Sequence, residues 1–216
     1  RTTTLEGVLA MLAAFVLTIP LENYLKFLPV DGNVVAYSLV VFILLGSTVL
    51  GKHYSFEDAA YPIAASFYVG IGFNALLDAR IAGFDKVLLA LFIVWATDSG
   101  AYLVGRRYGV HRLAPHVSPN KTVEGSLGGI VSAVLVTFIF MLFDKNVAAP
   151  HHLPIMLLFA VFFSIAGQFG DLVESAIKRH FGVKDSGKFI PGHGGVLDRF
   201  DSMLFVFPLM HFFGLF

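Results

Sequence analysis

Gly125–Phe143 reads GSLGGIVSAVLVTFIFMLF and carries no charged residue across its 19 positions. At 1.5 Å per residue a helix of that length covers about 28 Å, close to the hydrocarbon thickness of a bilayer. A strand run of that length without a turn signal would be exceptional, so the segment is read as a membrane-spanning helix. Six further apolar stretches flank it: Leu5–Pro20, Asn33–Gly51, Ala59–Leu77, Lys86–Gly105, Leu153–Ile177 and Ser202–Phe216. The first and last are short for a span. Composition agrees with the segment count. Of 216 residues 56% are hydrophobic and only 14% are charged, with a mean hydropathy of +0.77, whereas a soluble domain carries about 25% charge. The expected fold is all-α, a polytopic transmembrane bundle of about seven helices. It forms one integral membrane domain over 1–216, with a hydrophobic helical part at 1–96 and a catalytic part at 97–216.

Cysteine is absent, which excludes disulfides, thiolate metal sites and cysteine nucleophiles. Residue 1 is Arg1 and a hydrophobic helix follows almost at once, so a truncated N-terminus is expected. Orientation follows from Lys and Arg in the short loops. Arg106, Arg107, Arg112 and Lys121 lie between the fourth and fifth segments. Lys178, Arg179, Lys184, Lys188 and Arg199 lie between the sixth and seventh. The intervening loop has only Lys145, beside Asp144. The two basic loops therefore share a face, expected to be cytoplasmic, and the first helix also starts inside. Basic loops of this kind need no nucleic acid to explain them.

The polar residues crowd onto the same face. Gly170–Ser202 reads GDLVESAIKRHFGVKDSGKFIPGHGGVLDRFDS. Asp171, Glu174, Ser175 and Lys178 fall at i, i+3, i+4 and i+7, one face of a helix. Asp198 and Asp201 repeat the i, i+3 carboxylate spacing before the last helix. Carboxylates near a membrane are costly unless paired or bound to a cation. Two acidic helix ends amid Lys and Arg suit an oxygen-bound metal such as Mg²⁺ with phosphate as co-ligand. Between them, Pro191-Gly192-His193-Gly194-Gly195 can bring backbone N–H groups close to an anion. A second polar stretch, Thr97-Asp98-Ser99-Gly100, interrupts an apolar helix. A third, Ser118-Pro119-Asn120-Lys121-Thr122-Val123-Glu124-Gly125, reads as a helix start with Pro119 in the first turn. Asp98 needs a partner, and Lys121 can supply one or be an ordinary positive-inside anchor. Trp95, the histidines at 53, 151 and 152, Asn74 and Gln168 are read as structural; the two amides are assigned to interhelical hydrogen bonds.

The stretch Ser175-x-Ile177-Lys178-Arg179-x4-Lys184-Asp185-x-Gly187-x2-Ile190-Pro191-x-His193-Gly194-Gly195-Val196-x-Asp198-Arg199-Phe200-Asp201 resembles the signature of the phosphatidate cytidylyltransferase, or CDP-diacylglycerol synthase, family. It does so without departure over 27 positions. Thr97–Tyr102 and Ser118–Gly125 are also similar to that family, whose members usually carry further hydrophobic sequence upstream. The resemblance implies the reaction CTP + phosphatidate → CDP-diacylglycerol + pyrophosphate, with Mg²⁺ and room for a monovalent cation such as K⁺. It implies Asp171 and Asp198 as metal ligands, with Lys178 and Arg199 also catalytic. Lys178, Arg179, Lys184 and Arg199 would hold the phosphates. Ser175, His193, Gly194 and Gly195 would line the pocket, with Asp98 and Lys121 as further substrate-binding candidates. Asp185 and Asp201 would bind metal or orient the basic side chains. The implied partners are CTP, phosphatidate and membrane lipid, in the cell membrane, with a homodimer allowed. Three alternatives are a related CTP-dependent kinase or cytidylyltransferase acting on another lipid, an ion-coupled transporter built on Asp98 and Asp171, and a non-enzymatic scaffold.

Overall fold

The computed structural model describes residues 5–19, 32–50, 54–144, 147, 151–187 and 194–216. The expected helical membrane protein is what it contains. In chain order the elements are α1 (Leu5–Thr18), α2 (Gly32–Leu50), α3 (Phe56–Ala82), α4 (Phe84–Tyr108), β1 (Arg112–Ala114), β2 (Ser118–Thr122), α5 (Val123–Phe143), α6 (Leu153–His180), α7 (Leu197–Phe200) and α8 (Met203–Phe212). Helices α2 to α6 are long and apolar enough to cross a membrane, and α1 and α8 are shorter apolar helices.

The chain divides into two compact units, Arg1–Leu77 and Asp78–Phe216. In the first, α1 packs on α2. Asn33 donates from Nδ2 to the Val16 carbonyl at 2.9 Å, and Asn74 donates to the Thr18 carbonyl at 3.3 Å. The start of α3 is fixed by a reciprocal cap. Ser55 Oγ accepts from the Asp58 N–H at 3.2 Å, and the Asp58 carboxylate accepts the Ser55 N–H at 2.8 Å, so two orphan donors of the first turn are satisfied together.

The second unit is built around the α4–α5 pair, with α6 against both and α8 against α6. Small residues let α4 and α5 approach closely. A Cβ added at Gly129 would lie 2.8 Å from the Thr97 carbonyl oxygen. This is how membrane helices gain packing energy where lipid supplies no hydrophobic drive. The buried hydroxyls follow the same logic: Thr97 donates to Ser164 at 2.9 Å, and Gln168 donates to the Ser126 carbonyl at 3.3 Å. Gln168 and Asn74 thus both make the interhelical bonds expected of them. Trp95 is 55% exposed and meets Phe92 edge-on, so it packs on one face and leaves the other for lipid.

The α4–α5 connection departs from expectation. Ser118-Pro119 begins no helix; β1 and β2 form an antiparallel hairpin, pairing Arg112 with Thr122 and Ala114 with Ser118 around a bulge. Helix α5 starts only at Val123, where Thr122 Oγ1 accepts the Gly125 N–H at 3.1 Å. Proline tolerates the extended backbone of a short edge strand as well as a first helical turn, and here the cap three residues further on decides between them. The hairpin base is closed by Glu124, whose carboxylate accepts the N–H groups of Val110 at 3.0 Å and His111 at 3.2 Å.

Helix α6 has 28 residues, about 42 Å at 1.5 Å per residue, longer than the ~30 Å hydrocarbon core. Asp171 sits about 27 Å along it. A helix that enters the bilayer near Leu153 therefore delivers Asp171 to Lys178 at the opposite boundary.

Candidate active site

Helix α6 sorts its polar face into two neighbouring groups. In the first, Lys121 of β2 forms an ion pair with Asp171, and Ser175 Oγ donates to the other Asp171 oxygen at 3.3 Å. Asp171 keeps 31% of its side chain exposed. It borders a cavity of about 640 Å³ between α4, the hairpin, α5 and α6, lined among others by Asp98, Asn120, Lys121, Arg112 and Gln168. Asp98, expected to need a partner, thus shares a wall with Lys121 as well as with Asp171.

One turn further along α6, the second group is more enclosed. Lys178 Nζ lies 2.5 Å from Glu174 and donates to Asp198 Oδ1 at 2.7 Å. Asp198 also accepts the Ser186 N–H at 2.9 Å, the Ser186 hydroxyl at 2.8 Å and the Gly195 N–H at 2.7 Å. Its side chain is only 10% exposed. Burial alone would raise the Asp198 carboxyl pKa; the Lys178 ammonium, the Gly195 N–H and the two Ser186 donors outweigh it and hold that pKa well below the usual carboxylate range. Asp201 moves the other way. Burial pushes it up, the Ser202 N–H offsets only part of that, and the charge of Asp171 adds to the rise.

Backbone geometry around Asp198 requires glycine. Gly194 adopts φ +83°, and a Cβ there would also lie 2.8 Å from Asp198 Oδ2. A Cβ at Gly195 would lie 2.6 Å from the Gly187 nitrogen. The expected backbone-lined anion loop is therefore folded in part around the Asp198 carboxylate. His193 lies outside the described residues. Arg179, Lys184, Asp185 and Arg199 are exposed, on the segments that border the second group.

Among the described residues, no three acidic or histidine side chains already converge as a metal site. The donor chemistry nevertheless fits a hard divalent cation. Asp171, 31% exposed, borders the cavity, and Asp198 holds its carboxylate against Lys178 of the same helix as Asp171. Glu174, 1% exposed, meets Lys178 through Oε2, and its Oε1 has no hydrogen-bond donor. A buried carboxylate so poorly satisfied is stabilised by a cation, and Lys178 supplies one.

Several of these residues were not singled out from sequence. Glu174 falls on the polar face with no role implied by the resemblance, although its i, i+4 spacing to Lys178 announces the pair. Ser186, 12 residues from Asp198, left no local signal. Arg106 and Arg112 read only as loop charges, and Asn120 only as part of the expected helix start.

Comparison with known proteins identifies the family. The model of the cytidylyltransferase family matches residues 1–216. A phosphatidate cytidylyltransferase of Staphylococcus saprophyticus is 45% identical over 214 residues, covering 88% of this chain and 81% of the relative. Another of that name, from Staphylococcus epidermidis, is 43% identical over 235 residues, covering 95% and 89%. A third, from Staphylococcus haemolyticus, is 48% identical over 184 residues, covering 83% and 69%. The chain belongs to the cytidylyltransferase family. It is a nucleotidyl-transferring membrane enzyme of lipid metabolism, and the transporter and scaffold readings fall away.

Proposed function

We propose that this chain transfers a cytidylyl group from CTP to phosphatidate, releasing pyrophosphate and leaving CDP-diacylglycerol in the membrane. The observation that carries this reading is the pairing of two carboxylates with lysines beside the polar face of α6, Asp171 of that helix with Lys121 and Asp198 with Lys178 of that helix. It places alternating charges at the membrane boundary, where a lipid phosphate and a soluble nucleotide can meet.

The chemistry asks little covalent work of the protein. A phosphatidate oxygen attacks the α-phosphorus of CTP as the bond to the β-phosphate oxygen breaks, and the electron pair leaves with pyrophosphate. The phosphomonoester is largely ionised near neutral pH, its second pKa being about 6, so no strong base is needed. Both reactants are polyanions, and the barrier is lowered by alignment and charge neutralisation. Lys178, Arg179, Lys184 and Arg199 hold phosphate oxygens, and Ser175, His193, Gly194 and Gly195 line the reacting phosphates. Mg²⁺ held by Asp171 and Asp198, with a monovalent cation such as K⁺ beside it, would neutralise the leaving pyrophosphate. The basic loops orient the site to the cytoplasmic face of the cell membrane, and no nucleic acid takes part. A homodimer is the assembly included in this reading.

The test is product formation from labelled CTP and phosphatidate by the purified chain in detergent, with Mg²⁺ and then with EDTA. Labelled CDP-diacylglycerol that disappears with EDTA is the expected result. Metal-dependent transfer to a different lipid acceptor, with none to phosphatidate, would overturn it.

A further inference from the structure

The signature motif lies on α6 and the segment leading to α8, yet the 640 Å³ cavity is walled largely by residues outside it. Three cations border that cavity. Arg106 closes the end of α4, Arg112 opens β1, and Lys121 belongs to β2. Asp98 and Asp171 face them, so a bare anion would meet two carboxylates; an anion carried with a divalent cation suits both walls.

Arg112 is set rather than loose. Its Nη1 donates to the Pro119 carbonyl across the hairpin at 2.6 Å, and the bulge beside it re-aims the strand. One of five guanidinium donors is thereby spent on orientation, and the planar fork remains for a phosphate. Arg106 is held similarly, donating to the Tyr102 hydroxyl at 3.2 Å. The amide of Asn120 carries a donor and an acceptor, as the edge of a pyrimidine base requires, while the Gln168 donors are taken by Ser126 and Ser164. The volume falls within the ~300–1,000 Å³ range of small-molecule sites. Arg112 and Asn120 are exposed on the hairpin, and a charged and a polar side chain at the mouth suit a hydrated ligand better than acyl chains.

Resting on the reaction proposed above, we infer that this hairpin cavity is the nucleotide seat, with Arg112 and Arg106 contacting the β- and γ-phosphates of CTP. As the α–β phosphoanhydride bond breaks, charge accumulates on those oxygens, and the two guanidiniums stabilise the pyrophosphate that leaves. The phosphatidate phosphate then comes from the Lys178 side.

The experiment is steady-state kinetics of the full chain with phosphatidate in mixed micelles, alongside calorimetric binding of CTP with Mg²⁺ in the absence of lipid. Arg112→Ala should raise KM for CTP by about tenfold or more, since a hydrogen bond to a charged group is lost, while KM for phosphatidate stays within about twofold. Arg112→Lys should recover part of the affinity. Arg107→Ala, at an exposed position outside the cavity wall, should bind CTP as the wild type does. If Arg112→Ala fails to fold, Arg112→Lys and Arg106→Ala carry the same comparison. Unchanged CTP binding in these variants, or a rise confined to KM for phosphatidate, would overturn the assignment. A wild type that binds CTP through Arg112 yet makes no CDP-diacylglycerol would sink the proposed reaction and keep the nucleotide seat.

Discussion

The two candidate metal-ligand aspartates, Asp171 and Asp198, look interchangeable in sequence and occupy opposite environments. Asp171 has a lysine and a serine as partners and remains open to a cavity. Asp198 is nearly buried and gathers Lys178, both Ser186 donors and the Gly195 N–H around its two oxygens. A carboxylate that collects backbone donors from 12 residues away organises a loop as well as taking part in chemistry. One that keeps a third of its surface has oxygen available for a ligand. The difference separates a site's frame from its mouth, and it can be tested at each residue.

The largest effect should come from Asp198→Asn. Turnover is expected to fall by about 10²–10³-fold, the scale for losing one preorganised electrostatic group, and the melting temperature should fall with it. Asp171→Asn should cost comparable turnover with little loss of stability. Equal melting shifts in the two variants would erase the distinction between frame and mouth. Next comes Lys178→Ala, which leaves buried Glu174 without its cation, at a cost of about 3–5 kcal/mol by denaturant unfolding. The double variant Lys178→Ala, Glu174→Gln should recover much of that stability but not the affinity for substrate phosphates. If it recovers nothing, Glu174 is not the group that Lys178 compensates.

A smaller contrast concerns pH. The Asp198 carboxyl is held below its ordinary value, so the unfolded chain binds its proton more readily. The stability this gives is complete above the unfolded pKa of about 3.9 and is lost as pH falls toward the folded value. Melting curves from about pH 5 down to pH 2 should therefore be flatter for Asp198→Asn than for the wild type, and parallel curves across that window would contradict the depressed pKa. The smallest effect is expected at Thr122→Ala, which removes the cap of α5 and should cost about 1 kcal/mol. A loss of CTP affinity larger than that cost explains would tie the cap to the hairpin cavity.

What could be read from sequence divides along the same lines. Five spans were legible because long uncharged runs have few other fates, and their ends moved by only a few residues. The Asp171–Lys178 face was legible because helical spacing is local. The frame of Asp198 was not, since nothing local says that the Ser186 N–H turns back to it. The hairpin was missed for a different reason. Ser118-Pro119 satisfies the opening rule of a helix as well as that of an edge strand, and the choice lies with Thr122 and with Arg112 reaching the Pro119 carbonyl. Arg112 thus passed for a loop charge, although its partner was seven residues away.

Helix α6 is one continuous rod from Leu153 to His180, and it carries Asp171 and Lys178 at a fixed distance from its Leu153 end. Bilayer thickness therefore acts as a focusing screw on this enzyme. A membrane a few ångströms thicker draws the carboxylates toward hydrocarbon unless the rod changes tilt, and a thinner one lifts them past the plane of phosphatidate headgroups. Turnover in vesicles of graded acyl length should pass through a maximum, at the thickness where that plane and the polar face of α6 coincide.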